Sequence, residues 1–291
     1  MSTTPRFPSE SGGRTLATPS HGNSYVLGHS ERELDRLSLQ ARMFAPFTRQ
    51  VFLEAGLAPG MRVLEVGSGS GDVAFLAAEF VGPRGSVVGA DRATAAVERA
   101  QHRARQLGIA NVEFVEADPV LMRGEEEFDA IVGRLILMYY HDPVDALRKF
   151  LGHLRPGGVV AFQEFDLTNC KSLPASPTYE GCLTWIIQTL ERSGARTQLG
   201  LELHQTFLSA GLPAPSLRLD ASLGAGSECP AYELVAEVVR SLLPAMEKFA
   251  VVTPAKVRID TLADRLREEV TAGGGVVVAP ALIGAWTRKA T

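Results

Sequence analysis

Short apolar runs alternate with longer helical stretches through the first half of the chain. The runs at positions 63–66, 86–90, 112–115, 128–133 and 159–162 predict five strands. A segment with the apolar spacing of a helix follows most of these runs, and glycine or proline separates the elements. Strands that alternate with helices pair in parallel and carry helices on both faces. The pattern predicts an α/β fold with a doubly wound, mostly parallel sheet.

The N-terminal region divides into two parts. Residues 1–24 are rich in Ser, Thr, Pro and Gly and contain no apolar segment, which predicts a flexible leader. Ser30 and Glu33 have the spacing of a capping box, so a helix is expected to begin there. Pro46 is expected to open a second helix that Gly56 ends. These two helices precede the first strand.

The last 120 residues are less regular. Helices are predicted over 176–193 and 199–210, and a half-buried strand over 216–223, where apolar and polar residues alternate. A helical stretch over 232–270, with breaks at Pro244 and Pro254, precedes the apolar residues 275–278 and 282–287, which are expected to provide the last strand.

The turn after the first strand holds three alternate glycines. Gly67, Gly69 and Gly71 separate the apolar run from the helix that follows, and Asp72 comes next. Glycines let the backbone approach a ligand closely, and a helix start offers free N–H groups. A dinucleotide fingerprint, G-x-G-x-x-G, would require glycine at position 72. The spacing therefore predicts a ligand-binding turn that differs from the dinucleotide-binding turn.

The stretch from Glu65 to Gly71 resembles the first motif of the class I S-adenosylmethionine-dependent methyltransferases, in particular the ubiquinone and menaquinone biosynthesis methyltransferases. The resemblance covers about residues 25–165 and implies a seven-stranded sheet, with S-adenosylmethionine as cofactor. It implies that Glu65 steadies the loop and that the loop backbone, from Gly67 through Ser68 and Gly69 to Gly71, holds the methionine end.

The same resemblance implies further cofactor contacts. The backbone at Gly133, Arg134 and Leu135 is expected to touch the methionine moiety. Two N-terminal lid helices over 25–57 are expected to fold over the pocket, with Tyr25 and Gln40 reaching the cofactor. The alternative is that these helices only cover the sheet edge.

Two aspartates follow the second and third predicted strands. Asp91, followed by Arg92, stands at the carboxyl end of its strand, where a carboxylate can accept hydrogen bonds from ribose hydroxyls. The alternative is a surface residue that starts the next helix. The resemblance implies that Asp118, next to Pro119, binds the adenine amino group; the alternative is a turn residue ahead of proline.

Methyl transfer requires the acceptor atom in line with the S–CH3 bond, and a base is needed only where the acceptor must lose a proton. The candidate bases are His141, after the fourth strand, and Glu164, after the fifth. His141 could instead only sit near a helix start. Tyr139 and Tyr140 are expected to shape the pocket or to line the sulfonium with their rings.

Composition and charge indicate the class of protein and the compartment in which this chemistry is expected. The 291 residues are 45% hydrophobic with a net charge of −4, which favours a globular protein without the basic field that nucleic acids select. No apolar stretch reaches the roughly 20 residues that cross a bilayer. The three cysteines lack metal-site spacing, so we expect reduced thiols, no metal and a cytoplasmic protein.

The sequence therefore predicts a methyltransferase that acts on a small molecule, either a secondary metabolite or a quinone-like compound. Residues 58–170 are expected to form the cofactor-binding core, and 171–291 the remaining strands plus a helical cap over the acceptor. The alternative for the extra helices is a homodimer contact or plain sheet cover. Alternative functions are a cofactor-binding protein that assists a rearrangement or acts as a scaffold, and a nicotinamide-dependent oxidoreductase.

Overall fold

The computed structural model describes residues 31–122 and 128–291. The strands are β1 Arg62–Val66, β2 Ser86–Asp91, β3 Val112–Glu116, β4 Phe128–Arg134, β5 Leu154–Asp166, β6 Lys171–Leu173, β7 Ser216–Asp220, β8 Leu223–Ala225, β9 Val276–Val278 and β10 Ala281–Arg288. The helices are α1 Glu31–Ala55, α2 Asp72–Val81, α3 Thr94–Leu107, α4 Pro143–Leu151, α5 Pro177–Arg192, α6 Leu199–Ser209, α7 Ala231–Lys248, α8 Pro254–Val257 and α9 Leu262–Ala272.

The main sheet has seven strands in the order β3-β2-β1-β4-β5-β10-β7. Strands β1 to β5 pair in parallel, and β10 runs antiparallel to both β5 and β7. The chain moves outward from β1 in one direction to β3 and then returns to β4 on its other side. Such a reversal leaves a crevice at the carboxyl ends of the strands. The predicted doubly wound, mostly parallel sheet is confirmed.

Both faces of this sheet are buried. Ile131 of β4 belongs to one apolar cluster, whereas its neighbours Ala130 and Val132 belong to the cluster on the opposite face. Val63 and Leu64 of β1 divide in the same way. Because successive side chains of a strand point to opposite faces, these strands need apolar residues at nearly every position. That is why they appear in the sequence as continuous apolar runs.

The N-terminal region differs from the expected pair of helices. One helix, α1, runs from Glu31 to Ala55 and contains Pro46. Phe44, Phe47 and Val51 are buried on both sides of the proline, so one apolar stripe continues past it. Packing of that stripe outweighs the hydrogen bond that proline removes. The capping residue Ser30 and the leader lie outside the described residues.

Strand β5 is longer than predicted. It runs from Leu154 to Asp166, with an irregular pairing to β4 between its first residues and Val159. The expected turn at Pro156 to Gly158 forms this irregularity. Glu164 therefore lies within a paired strand and not in a loop beyond it.

The C-terminal region adds a small second sheet, in the order β6-β9-β8, that the sequence did not predict. Its three strands have three residues each, too few to show a periodicity. Helices α5, α7 and α9 contact one another beside it. Pro244 lies inside α7 and does not break it.

Strand β7 is more exposed than the sequence predicted. All five of its residues are exposed, although the alternation of apolar and polar residues predicted a half-buried strand. It pairs only with β10 and forms the edge of the main sheet.

In the described parts of the chain, no helix has the length and apolar character that would let it cross a membrane.

Candidate active site

The glycine turn leaves β1 at the crevice between β2 and β4. Gly67, Gly69 and Gly71 have φ angles of 72°, 51° and 88°, a left-handed conformation that side chains strongly disfavour. The backbone N–H groups of Gly67 and Ser68 donate to the carbonyl of Ala90, at 2.8 and 3.1 Å. The turn is therefore fixed against the end of β2.

The three glycines serve different purposes. A Cβ on Gly71 would lie 2.6 Å from the ring of Phe114, and one on Gly67 would lie 2.5 Å from Ile136. A Cβ on Gly69 would meet nothing within 4 Å, and Gly69 lines the main cavity. Gly67 and Gly69 both line the cavity, but of the three only Gly69 has open space where a Cβ would lie; Gly71 is required for packing and does not line the cavity.

Asp72, the residue that departs from the dinucleotide fingerprint, anchors the turn. Its carboxylate accepts from the Ser70 hydroxyl at 2.8 Å and pairs with Arg103 of α3 at 2.8 Å. Arg103 also donates to the carbonyl of Ser70, at 2.6 Å. A glycine at position 72 would remove the ion pair between the turn and α3, whereas the hydrogen bond from Arg103 to Ser70 would remain.

Asp91 stands at the end of β2 and lines the cavity. One carboxylate oxygen accepts from the N–H of Gly69 at 2.8 Å, and the other accepts from the N–H of Ala93 at 2.9 Å. An ionised carboxylate offers about four acceptor positions, so about two remain for hydroxyl groups in the cavity. The ribose assignment of Asp91 stays a prediction that this geometry permits.

Asp118 does not line the cavity, although its neighbour Pro119 and the facing Arg92 do. One oxygen of Asp118 accepts from the N–H of Val120 at 3.0 Å, which is the turn role that the sequence left open. The other lies 3.9 Å from Arg92, whose guanidinium carbon lies 5.8 Å from the ring centroid of Tyr140. Its contact with adenine stays a prediction.

Several buried polar residues form the floor of the cavity between the glycine turn and β4. Arg134 lines the cavity and donates to the Thr48 hydroxyl of α1 at 3.0 Å, and Thr48 donates to Gln163 at 2.8 Å. Glu65 also lines the cavity. Burial raises the pKa of the Glu65 carboxyl, and the charge of Arg134 opposes that shift; burial likewise lowers the pKa of Arg134.

Three buried polar atoms on this floor have no hydrogen-bond partner within the described parts of the chain. Among the floor residues that also line the cavity, these are the Oε2 atom of Glu65 and the hydroxyl of Ser68; the Nε2 atom of Gln163, which does not line the cavity, is the third such atom on the floor. Buried polar groups without partners are costly, so each of these atoms requires an explanation, such as an ordered water or a rearrangement when a ligand binds. The carboxylate and the nearby guanidinium suit the amino-acid end of S-adenosylmethionine, which carries an ammonium and a carboxylate group.

The cavity occupies about 710 Å³, within the range of roughly 300–1,000 Å³ that is typical of small-molecule sites. Its polar end consists of the glycine turn, Asp91 and Arg134. Its other end is apolar and is built by two helices of the C-terminal region. Helix α5 contributes Leu183, Ile186, Ile187 and Leu190, and α7 contributes Leu234, Val235, Val238 and Leu242.

None of these eight apolar residues was predicted to be a site residue. Their spacing is that of any helix face that packs on a core, so it gives no signal of a binding wall. Phe44, Met138 and Phe165, which also line the cavity, were missed for the same reason. Gln40 lines the cavity as expected, whereas Tyr25 lies outside the described residues.

Of the two candidate bases, His141 and Glu164, and the pocket tyrosine Tyr139, only Tyr139 lines the main cavity. His141 is exposed and lies in a separate surface groove with Arg196 and Glu202, because the chain turns away from the crevice before α4 begins. This position does not support a role for His141 as a base toward a molecule in the cavity, and that role stays a prediction.

Glu164 is fully buried and does not line the cavity. Its Oε1 atom accepts from the N–H groups of Ile136 and Leu137, at 3.0 and 2.7 Å. Burial raises the pKa of the Glu164 carboxyl to about 8. Its contacts are those of a residue that fixes the chain after β4, and its expected role as a base stays a prediction that these contacts do not support. Gly133 also lies outside the cavity wall, packed against Phe162, while Leu135 lines it.

Known proteins of two kinds resemble this chain. Aklanonic acid methyltransferase DauC from Streptomyces sp. is 32% identical over 46% of this chain and 60% of its own length. The ubiquinone/menaquinone biosynthesis C-methyltransferase UbiE from Ectopseudomonas mendocina is 36% identical over 43% of this chain and 48% of its own. The chain thus spans about half the length of the curated relatives that it matches.

Solved structures share the fold at low identity. A protein from Bacillus halodurans, provisionally described as a methyltransferase, has a TM-score of 0.57 at 16% identity and covers 84% of this chain and 99% of its own. The [4+2]-cyclase SpnF has a TM-score of 0.52 at 22% identity and covers 84% and 80%.

A family model described as a methyltransferase domain matches residues 57–207, more than half of the 291 residues. That segment carries the glycine turn, both aspartates and Arg134. The chain therefore belongs to the methyltransferase domain family, with the strand order and first motif of the class I, S-adenosylmethionine-dependent group.

Proposed function

We propose that this protein transfers a methyl group from S-adenosylmethionine to an apolar small molecule. The observation that carries the proposal is a single cavity with two unlike ends. The glycine turn, Asp91, Glu65 and Arg134 form a polar end, and α5 and α7 form an apolar end. A site of this kind holds a charged cofactor and an apolar acceptor side by side.

The polar end has a group for each part of the cofactor. Glu65 and Arg134 would bind the ammonium and carboxylate of the methionine moiety, and Asp91 would accept the ribose hydroxyls while it holds the N–H of Gly69. When bound, S-adenosylmethionine supplies a methyl group on an electron-poor sulfonium. Arg134 suits a carboxylate because its planar guanidinium can donate two parallel hydrogen bonds.

The apolar end defines the acceptor. Leucine, isoleucine and valine side chains from α5 and α7 favour a molecule with a large apolar surface and exclude water from the reacting atoms. The relatives named for aklanonic acid and for ubiquinone and menaquinone biosynthesis support an acceptor of similar character. We therefore propose a secondary metabolite or a quinone-like compound. Holding both reactants in one dry cavity provides most of the acceleration that such a transfer requires.

Tyr139 lies at the cavity wall after β4, beside Met138. We propose that it contacts the acceptor and orients the reacting atom. Conversion of Tyr139 to Phe is expected to lower kcat while the affinity for the cofactor product stays the same.

Two measurements test the proposed function. S-Adenosylhomocysteine at 100 times its dissociation constant should stabilise the protein by about 2.7 kcal/mol, and nicotinamide nucleotides should not. Incubation with aklanonic acid or quinol precursors should then give a product heavier by one CH2 group. Failure of S-adenosylhomocysteine to bind would refute the proposal. A cofactor-dependent product of unchanged mass would instead support an assisted rearrangement.

A further inference from the structure

Helix α1 presents one stripe of side chains toward the cavity and its floor. Gln40 and Phe44 line the cavity, and Thr48 follows four residues later, so the three side chains share one face of the helix. Thr48 itself is fully buried and does not line the cavity. The stripe therefore begins in the cavity wall and ends at the buried polar residues of the floor.

Thr48 joins α1 to two central strands of the sheet. Its hydroxyl oxygen accepts from the Nη1 atom of Arg134 in β4 at 3.0 Å, and its proton goes to the Oε1 atom of Gln163 in β5 at 2.8 Å. A threonine within a helix can instead satisfy its hydroxyl at a carbonyl of the preceding turn, as Thr206 does at Glu202. Thr48 makes both of its hydrogen bonds to residues that are 86 and 115 positions away.

The direction of the two hydrogen bonds is fixed by their chemistry. A guanidinium donates and never accepts, so the oxygen of Thr48 must accept from Arg134 and its proton must point elsewhere. Gln163 receives that proton. The backbone of Gln163 is held on both sides, because β5 pairs with β4 and with β10, and its carbonyl accepts from the N–H of Leu135 at 2.8 Å. The sheet therefore orients the hydroxyl, and the hydroxyl orients one edge of the guanidinium.

We propose that Thr48 is a positioning residue that holds Arg134 in the orientation in which its guanidinium binds the carboxylate of S-adenosylmethionine. Within the described residues, the bond to Thr48 is the one hydrogen bond that the Arg134 side chain makes, so its other donors are available to the cavity that it lines. Two parallel hydrogen bonds to a carboxylate require a correctly oriented guanidinium plane. Thr48 does not touch the cofactor. This inference rests on the proposed function, which assigns the carboxylate to Arg134.

The test compares two ligands that differ at the amino-acid end. Thr48→Val removes the hydroxyl and keeps the branched shape. Calorimetry should show about 2- to 12-fold weaker binding of S-adenosylhomocysteine, as expected for one lost hydrogen bond. Methylthioadenosine, which has no amino-acid end, should bind with nearly unchanged affinity. Unchanged binding of both ligands, or an equal loss for both, would overturn the inference.

Two further variants show whether the hydroxyl is responsible. Thr48→Ser keeps the hydroxyl and should bind both ligands as the unchanged protein does. Thr206→Val is the matched control, because Thr206 is also buried but bonds within its own helix and lies outside the main cavity. It should change neither affinity. If Thr48→Ser loses as much affinity for S-adenosylhomocysteine as Thr48→Val does, the hydroxyl has no special part and the inference is wrong.

A double substitution connects the effect to Arg134. Arg134→Met alone should weaken S-adenosylhomocysteine and spare methylthioadenosine. Adding Thr48→Val to Arg134→Met should cause no further loss, because the group that Thr48 positions is already absent. If the two fold-losses multiply instead, Thr48 acts independently of Arg134 and the positioning role is refuted.

The design also accounts for a loss of stability. Thr48→Val leaves Arg134 and the Oε1 atom of Gln163 without their partner, so the free protein should unfold at a lower temperature. The comparison of the two ligands is made on the folded protein and keeps its meaning. If Thr48→Val does not fold, Thr48→Cys, whose sulfur is a weaker acceptor, should lose affinity for S-adenosylhomocysteine alone; equal behaviour toward both ligands would refute the inference.

Failure of the proposed function gives a different result. If the unchanged protein does not bind S-adenosylhomocysteine, the proposed function fails, and this inference fails with it. If the unchanged protein binds it and Arg134→Met discriminates between the two ligands while Thr48→Val does not, only the positioning role of Thr48 is wrong.

Discussion

Conversion of Glu164 to Gln should make the protein less sensitive to pH. Glu164 is fully buried, and its Oε1 atom holds the N–H groups of Ile136 and Leu137. Its Oε2 atom has no partner among the described residues. Glutamine keeps the shape and the accepting oxygen but cannot ionise.

The size of the effect follows from the pKa. Burial raises the pKa of the Glu164 carboxyl from its ordinary value of 4.5 to about 8. In the unfolded chain the same group ionises near its ordinary value, so the unfolded state releases its proton first as the pH rises. Between the two pKa values, stability should fall by about 1.4 kcal/mol per pH unit. From pH 5 to pH 7 this amounts to about 2–3 kcal/mol that Glu164→Gln should not lose.

Urea unfolding at pH 5, 6, 7 and 8 measures this difference directly. The unchanged protein and Glu164→Gln should have similar stability at pH 5 and diverge as the pH rises. Glu113 is exposed on β3, so Glu113→Gln controls for the loss of one negative charge and should follow the unchanged protein. If the curves for Glu164→Gln and the unchanged protein are parallel from pH 5 to pH 8, the buried carboxyl does not hold its proton and the reasoning is wrong.

Three further variants test the polar end of the cavity. Gly69→Val should abolish binding of S-adenosylhomocysteine, because φ is 51° and the open face of this glycine is where the ligand would lie; calorimetry showing unchanged affinity would remove the loop from the site. Asp91→Ala should weaken binding by roughly 1.5–3 kcal/mol if the carboxylate holds the ribose, and a change of only a few tenths would indicate a purely structural aspartate. Arg134→Met should weaken S-adenosylhomocysteine but leave methylthioadenosine, which has no amino-acid end, nearly unaffected; equal losses for the two ligands would contradict the carboxylate assignment.

The sequence predicted those parts of the fold where a pattern of residues is compatible with only one kind of structure. Strands buried on both faces must be apolar at successive positions, so β1, β2 and β4 were identified close to their actual bounds. The glycine turn was equally clear, because alternate glycines between a strand and a helix are typical of a backbone that approaches a ligand closely.

The expectations that were wrong depended on tertiary context. Proline normally ends a helix, but the packing of Phe47 and Val51 on the sheet carries α1 past Pro46. The polar residues at the end of β5 suggested a loop, yet pairing with β10 extends the strand to Asp166. That pairing joins segments more than a hundred residues apart, and no local pattern reveals it.

The site residues also divide into those that a local pattern predicts and those that depend on tertiary context. Gly69 and Asp91 were identified from positions at strand ends, and both line the cavity. His141 was chosen for its chemistry alone, and the direction in which the chain leaves β4 places it elsewhere. The apolar wall was not predictable, since Ile186 or Val238 looks like an ordinary core residue until the space in front of it is known to be empty.

The two ends of the cavity come from separate stretches of the chain. The polar end is made by the turns after β1, β2 and β4, in the middle of the sheet, whereas α5 and α7 belong to the connections that precede β7 and β10 at one edge. A change in those connections leaves the pairing of the central strands untouched. Under the proposed function, exchanging these edge connections between family members is expected to alter the acceptor preference while the cofactor end stays the same.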